Sequence, residues 1–300
     1  MTSAIATNEP ASRTPDARTP ASPSTRSADR LRAESVSIGY DRRVVSQRLS
    51  VSIPDESFTV IVGPNACGKS TLLRGLSRLL QPSTGQVILD GADIGSYKAK
   101  EVARRVGLLP QTSIAPDGIT VADLVARGRY PHQSLIRQWT EADERAVLRA
   151  MDQTAVTDVS GRLVDELSGG QKQRVWVAMA LAQHAGILLL DEPTTFLDIA
   201  HQIELLELFA DLNHAGHTMV AVLHDLNQAA RYGTHLIAMK DGDIVAEGPP
   251  SQIVTVELVE EVFGLPCLVV PDPVAGTPQV VPRGRDRARE QARARHRGRL

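Results

Sequence analysis

The amino-acid sequence predicts an α/β protein: a mostly parallel sheet with flanking helices, preceded by an antiparallel β portion and interrupted by a helical insert. Three observations carry this. Short continuous apolar runs at Phe58–Val62, Val106–Leu109, 187–190 and 219–223 have the length and composition of strands buried on both faces. Helical periodicity follows the first run, and strand and helix alternate again from Leu167 onward. Between Gln111 and Leu167 the composition turns charged and Ala-rich, with no comparable strand signal.

The elements follow in order. Val36, Ile38 and Tyr40 alternate with polar neighbours, and Leu49, Val51 and Ile53 do so again across a polar turn near Asp41-Arg42, the pattern of half-buried antiparallel strands. Phe58–Val62 ends at Gly63. Beyond Lys69, the residues Leu72, Leu73, Leu76, Leu79 and Leu80 share one helical face, which predicts a helix running until Pro82. Val87 and Leu89 before Asp90-Gly91 predict a hairpin, and Val106–Leu109 a strand leading to Gln111. Pro116-Asp117-Gly118 and the onset at Thr120 open the insert, whose stretch 141–151 reads as a helix. The strand at 187–190 leads to Asp191-Glu192, that at 219–223 to His224, and a last hairpin over 236–246 turns at Asp241-Gly242. No internal repeat is visible.

Composition bounds the function. With 300 residues and 42% hydrophobic content the chain can bury a substantial core. No stretch approaches the roughly 18 apolar residues that span a bilayer, and the first thirty residues lack the apolar centre of a secretory signal, so a cytosolic location is expected. Two cysteines, Cys67 and Cys267, are too few for a disulfide framework and lack metal-ligand spacing. A net charge of −2 provides no global field for nucleic acid. Residues 1–30, with Pro10, Pro15, Pro20 and Pro23 and almost no large apolar group, are expected to be a disordered tail. The run from Arg283 to Arg299 carries only Asp286 and Glu290 as counter-charges. It reads as a solvated tail over 271–300, or more sharply as a tether to anionic lipid.

The chemistry lies in three segments. Gly63, Pro64, Asn65, Ala66, Cys67, Gly68, Lys69, Ser70 and Thr71 form a Gly-x-x-x-x-Gly-Lys-Ser phosphate loop between a buried strand and a helix, the context that this motif requires. Backbone N–H groups of such a turn, aimed by a helix N-terminus, supply fixed positive potential to a triphosphate. Lys69 adds a full charge at the β- and γ-phosphates, and Ser70 would place its hydroxyl on Mg²⁺. Cys67, inside the loop, reads as a small packing side chain. Asp191, at the end of its strand, has the position of the carboxylate that organises Mg²⁺, and Glu192 lies beside it. Upstream, Leu167-Ser168-Gly169-Gly170-Gln171 opens a helix whose first N–H groups and serine hydroxyl make a second anion site.

In this order the three segments resemble the ATP-binding cassette family, whose fold is a P-loop NTPase core with an antiparallel β subdomain and an inserted helical subdomain. The resemblance covers 31–270, with the insert at about 112–166, and implies ATP hydrolysis with Mg²⁺. It makes Glu192 the general base that aligns the attacking water. Gln111 becomes the residue sensing Mg²⁺ and that water, His224 a histidine bonded to the γ-phosphate, and Tyr40 the aromatic under adenine. Asp198, which ends Pro193-Thr194-Thr195-Phe196-Leu197-Asp198, becomes a dimer contact. Ser168, Gly169, Gly170 and Gln171 would contact ATP held by Lys69 of a second copy, in a head-to-tail homodimer. The family usually carries glycine at Ala66. A β-carbon there costs about 1 kcal/mol or more if φ is positive, and a tolerated variation is expected.

Two passages go beyond generic cassettes: 128–133 with Arg137-Gln138-Trp139, and 194–202. Both look like the ATPase subunits of bacterial iron–siderophore importers, as does the helix at 174–180. This implies membrane permease subunits as partners near the Gln111 loop and the insert, a substrate-binding protein indirectly, and a location at the cytoplasmic face of the membrane. Haem or cobalamin import is the alternative. A cassette acting on nucleic acid or ribosomes would bring a coiled-coil insert or a second cassette, and neither is present, so no nucleic-acid partner is expected. A kinase or GTPase would leave Leu167 to Gln171 unexplained.

Overall fold

The computed structural model describes residues 29–40, 43–112, 114–133 and 139–284. The expected tail over 1–28, the arginine run from 285 onward, Arg137 and Gln138, and the Asp41-Arg42 turn lie outside the described residues.

The chain opens with β1 (Leu31–Tyr40) and β2 (Arg43–Ile53), which pair antiparallel as the alternation predicts. Asp29 and Arg30, assigned to the tail from sequence, are instead bonded to this sheet. Asp29 accepts from the Ser52 hydroxyl at 2.5 Å, and Arg30 pairs with Asp90 at 2.7 Å. β3 (Phe58–Val62) and the phosphate loop lead to α1 (Lys69–Leu76). Next come β4 (Thr84–Leu89), β5 (Ala92–Asp93), α2 (Ala99–Ala103) and β6 (Val106–Leu109). Asp90 and Gly91 both have positive φ, 48° and 84°, as a two-residue hairpin between β4 and β5 requires.

The predicted helix after Lys69 is shorter than its leucine pattern. α1 closes at Leu76 because Arg78 turns left-handed, at φ 64°, and the Leu80 amide bonds back to the Arg74 carbonyl at 3.0 Å. Leu80 still packs on the core, but Leu79 is 68% exposed.

The insert holds α3 (Val121–Ala126), capped by Thr120, a 3₁₀ segment (Arg127–His132) and α4 (Glu141–Gln153). Thr140 and Asp143 close α4 with a capping box. α5 (Gly169–Ala182) packs against both α3 and α4. Then follow β7 (Ile187–Asp191), α6 (Ile199–His214), β8 (Thr218–Val222), α7 (Leu226–Tyr232), β9 (His235–Lys240) and β10 (Asp243–Gly248). The chain continues with α8 (Pro250–Ile253), α9 (Val256–Phe263), β11 (Cys267–Pro271) and β12 (Pro278–Pro282). The last two strands correct the expected tail boundary: residues 271–282 belong to an ordered hairpin. Cys267 and Val280 are buried in the core, and Asn227 of α7 accepts from the Val280 amide at 2.7 Å.

The central sheet has the order β10-β9-β3-β8-β7-β6, parallel from β9 to β6 with β10 antiparallel at the edge. The second sheet, β2-β1-β4-β5, is antiparallel. Side chains alternate across each central strand. Val60, Leu188, Leu190 and Ala221 join a core lined by α3 to α7 and α9, whereas Ile61, Leu189 and Val222 join one with α1 and the antiparallel sheet. Both faces are dry, which explains the unbroken apolar runs.

Candidate active site

Three adjacent parallel strands, β6, β7 and β8, end on the same side of the sheet, where ligand clefts of open α/β sheets form. Their next residues bring Gln111, Glu192 and His224 together. Glu192 Oε2 accepts from Gln111 Nε2 at 2.5 Å and from the Thr195 hydroxyl at 3.2 Å, and His224 Nε2 lies 2.8 Å from the same oxygen. Glu192 itself has φ 52°. A left-handed non-glycine backbone costs of order 1–3 kcal/mol, and such strain collects at functional sites.

β3 delivers the loop. At Gly63 the chain passes so close to β9 that a β-carbon would lie 2.2 Å from the Met239 carbonyl, so only glycine fits. Lys69 is buried, and its ammonium donates to the Gly63 carbonyl at 2.9 Å and to that of Pro64 at 2.8 Å. The Ser70 hydroxyl donates to Asp191 Oδ1 at 2.8 Å. Asp191 is 3% exposed, and burial pushes its carboxyl above the usual carboxylate range against the opposing pull of Ser70 and the Arg74 charge. Ala66 has φ 61°, so the β-carbon penalty expected from sequence applies here. Cys67 is buried with its thiol pushed up by burial, in keeping with a packing role.

The cleft between these groups has a volume of about 560 Å³. Ten expected residues line it: Tyr40, Asn65, Ala66, Gly68, Lys69, Ser70, Thr71, Gln111, Glu192 and His224. Gly63, Pro64, Cys67 and Asp191 are not among the lining residues. Sequence reasoning missed Arg43 and Val45, which complete the rim beside Tyr40. It also missed Arg74, whose guanidinium donates to the Tyr40 hydroxyl at 3.0 Å, and Thr195. Two signals were available: Arg74 lies one helical turn after Ser70, and Thr195 is three residues past Glu192. Nothing in the pattern of Arg43 or Val45 marks them.

Ser168, Gly169, Gly170, Gln171 and Asp198 are not among the lining residues. Ser168 caps α5, its Oγ accepting from the Gln171 amide at 3.3 Å while Gln171 Oε1 accepts from the Ser168 amide at 3.1 Å. Asp198 caps α6. These helix N-termini form a separate surface that favours negative charge.

The cleft therefore combines a phosphate cradle, a lysine, a hydroxyl–carboxylate pair suited to a hard cation, and a second carboxylate held by two donors with an imidazole beside it. Comparison with known proteins agrees with this chemistry. The ABC transporter family model matches residues 46–195. The ferric enterobactin transport ATP-binding protein FepC of Escherichia coli (strain K12) is 58% identical over 262 residues, covering 87% of this chain and 97% of that protein. The probable siderophore transport system ATP-binding protein YusV of Bacillus subtilis (strain 168) is 50% identical over 258 residues, covering 86% and 94%. The dimeric structure of MJ0796, a bacterial ABC transporter cassette, superimposes with a TM-score of 0.64 at 26% identity, covering 73% and 98%. A family match over half the chain, and identity of this order across nearly whole relatives, establish that the chain belongs to the ABC transporter family as an ATP-binding cassette, an ATPase.

Proposed function

We propose that the chain energises import of a ferric siderophore through separate membrane subunits, hydrolysing ATP as a head-to-tail dimer. The observation that carries the hydrolytic reading is the convergence of Gln111, His224 and Thr195 on one oxygen of Glu192, in the cleft that holds Lys69. The cargo reading rests on the relatives named for ferric enterobactin and siderophore transport. Separate permease subunits and a place at the cytoplasmic face are inferred from the relatives named as ATP-binding proteins of transport systems; among the described residues no helix is long and apolar enough to cross a membrane. The helical insert that carries α3 and α4 is the part we assign to contact with the permease subunits.

The loop amides and Lys69 hold the β- and γ-phosphates. Tyr40, fixed by Arg74, stacks on adenine. The oxygen donors Ser70 and Asp191, 2.8 Å apart, fit Mg²⁺, which takes few protein carboxylates and fills its shell with phosphate oxygens and water; Gln111 completes the set. When bound, the ion neutralises phosphate charge. Glu192 accepts the proton of the attacking water as general base, and Gln111 and Thr195 fix its carboxylate. His224, whose Nε2 lies 2.8 Å from Glu192, turns between that carboxylate and the γ-phosphate. Ser168 to Gln171 of the second copy close over that phosphate, and hydrolysis reopens the pair, a population shift driven by ligand.

The test is uptake of labelled ferric siderophore by iron-starved native cells carrying the wild-type gene, its deletion or Glu192→Gln, with haem and cobalamin uptake alongside. Loss of ferric-siderophore uptake alone in both mutants is expected. Loss of haem or cobalamin uptake instead would reassign the cargo. Unchanged uptake in cells with no substituting ATPase would refute the transport role.

A further inference from the structure

The first turn of α6 carries two side chains to which hydrolysis gives no role. Asp198 Oδ1 accepts from the His201 amide at 2.9 Å and from His201 Nδ1 at 2.7 Å. The ring of His201 also lies on α5. A β-carbon built on Gly170 would come within 2.3 Å of His201 Cδ2 and 2.9 Å of Cγ, so the imidazole rests against the bare backbone of that glycine. One side chain thus touches both the aspartate loop and the glycine turn, and neither Asp198 nor Gly170 lines the chain's own cleft. Gln202 holds the loop from the other side. Its Nε2 donates to the Leu197 carbonyl at 2.9 Å, and its Oε1 accepts from Gln228 Nε2 at 3.1 Å. Gln228 belongs to α7, which starts two residues past His224.

We propose that His201 is a positioning residue: it fixes Asp198 against Gly170, so that the aspartate loop and the glycine turn meet the second copy as one piece. The inference rests on the head-to-tail reading above. α5 and α6 are separate elements, and β7 lies between them in the chain. Without a bridge, each N-terminus must be ordered independently when the two copies associate, and that ordering weakens assembly. The ring removes this requirement through a hydrogen bond at Nδ1 and packing at Cδ2. Asparagine reproduces both, because its Cγ, Oδ1 and Nδ2 overlay the Cγ, Cδ2 and Nδ1 of histidine. Leucine reproduces only the packing, and alanine neither.

The experiment measures ATP-driven dimerisation by sedimentation velocity in the Glu192→Gln protein, alone and combined with His201→Ala, His201→Leu or His201→Asn. Binding of a fluorescent ATP analogue to the single chain and thermal unfolding are followed alongside. The Ala and Leu variants are expected to need about threefold to tenfold more protein for half-maximal dimer, the size of one lost hydrogen bond. The Asn variant should assemble like the parent, analogue binding should be unchanged in all three, and unfolding of the Ala and Leu variants should shift by no more than the loss of that one hydrogen bond. The same protein-concentration shift should appear in ATP turnover when Glu192 is intact. Parental assembly in the Ala variant would overturn the proposal, and so would parental assembly in the Leu variant, since packing alone would then suffice. Failure of Glu192→Gln itself to dimerise with ATP would instead remove the head-to-tail reading, and this inference with it.

Discussion

Single residues set the cleft in ways that can be separated by substitution. Ala66 adopts φ 61° and its side chain is exposed, so its methyl group has no packing to lose. The left-handed backbone costs alanine about 1–2 kcal/mol, whereas glycine adds about 0.4–1 kcal/mol of unfolded-state entropy. The first effect wins. Ala66→Gly is expected to raise the unfolding free energy by about 0.5–1 kcal/mol in urea titration with ATP turnover retained; lower stability would show that the methyl packs after all. Thr195 acts differently, since it touches Glu192 at 3.2 Å without lining the cleft. Thr195→Val should lower kcat by about threefold to tenfold with KM for ATP nearly unchanged. A rise in KM with kcat retained would mean that Thr195 serves binding and not the carboxylate.

At the scale of elements, the 3₁₀ segment after α3 is tied down by a buried ion pair. Arg129 Nε lies 2.8 Å from Asp143 Oδ1, and Arg129 Nη1 donates to the Ala182 carbonyl at 2.8 Å, joining the end of α5 to the start of α4. Burial alone would raise the Asp143 carboxyl, but Thr140 and the Arg129 guanidinium outweigh it and hold it below the usual carboxylate range. Arg129→Met leaves that carboxylate buried and half-paired, so a loss of about 3–5 kcal/mol is expected in denaturant titration at neutral pH. Because the folded value of Asp143 is depressed, its contribution is present above the ordinary aspartate value near 4 and is lost as pH falls through the folded value. The gap between wild type and Arg129→Met should therefore narrow in acid; a pH-independent gap would exclude Asp143 as its source. The β11–β12 hairpin is held by Asn227, which accepts from the Val280 amide at 2.7 Å and donates to its carbonyl at 3.2 Å. Asn227→Ala is expected to cost about 1–3 kcal/mol. Unchanged thermal unfolding would show that the packing of Cys267 and Val280 alone retains the hairpin.

At the scale of the whole molecule, the strand ends that build the cleft are legible in the sequence, because strands buried on both faces leave unbroken apolar runs and the chemistry begins where each run stops. Gln111, Glu192 and His224 each follow such a run, but their assignment to one site rests on the resemblance to ATP-binding cassettes, not on the runs themselves. The stop of α1 is not legible, since the leucine pattern continues through Leu79 and Leu80 while a left-handed Arg78 breaks the hydrogen-bond ladder. The final hairpin is hidden for another reason: Pro271, Pro278 and Pro282 at its strand ends read as loop, and only packing against α7 and α9 gives it a buried face. The contact between His201 and Gly170 depends on how α5 and α6 meet, which no local pattern records. The most direct test of the whole account is the steady-state ATP turnover of Glu192→Gln beside its ATP binding. A fall in turnover of about 10²- to 10⁴-fold with binding retained is predicted for loss of a general base; turnover near the wild-type rate would contradict the assignment of Glu192 and the mechanism built on it.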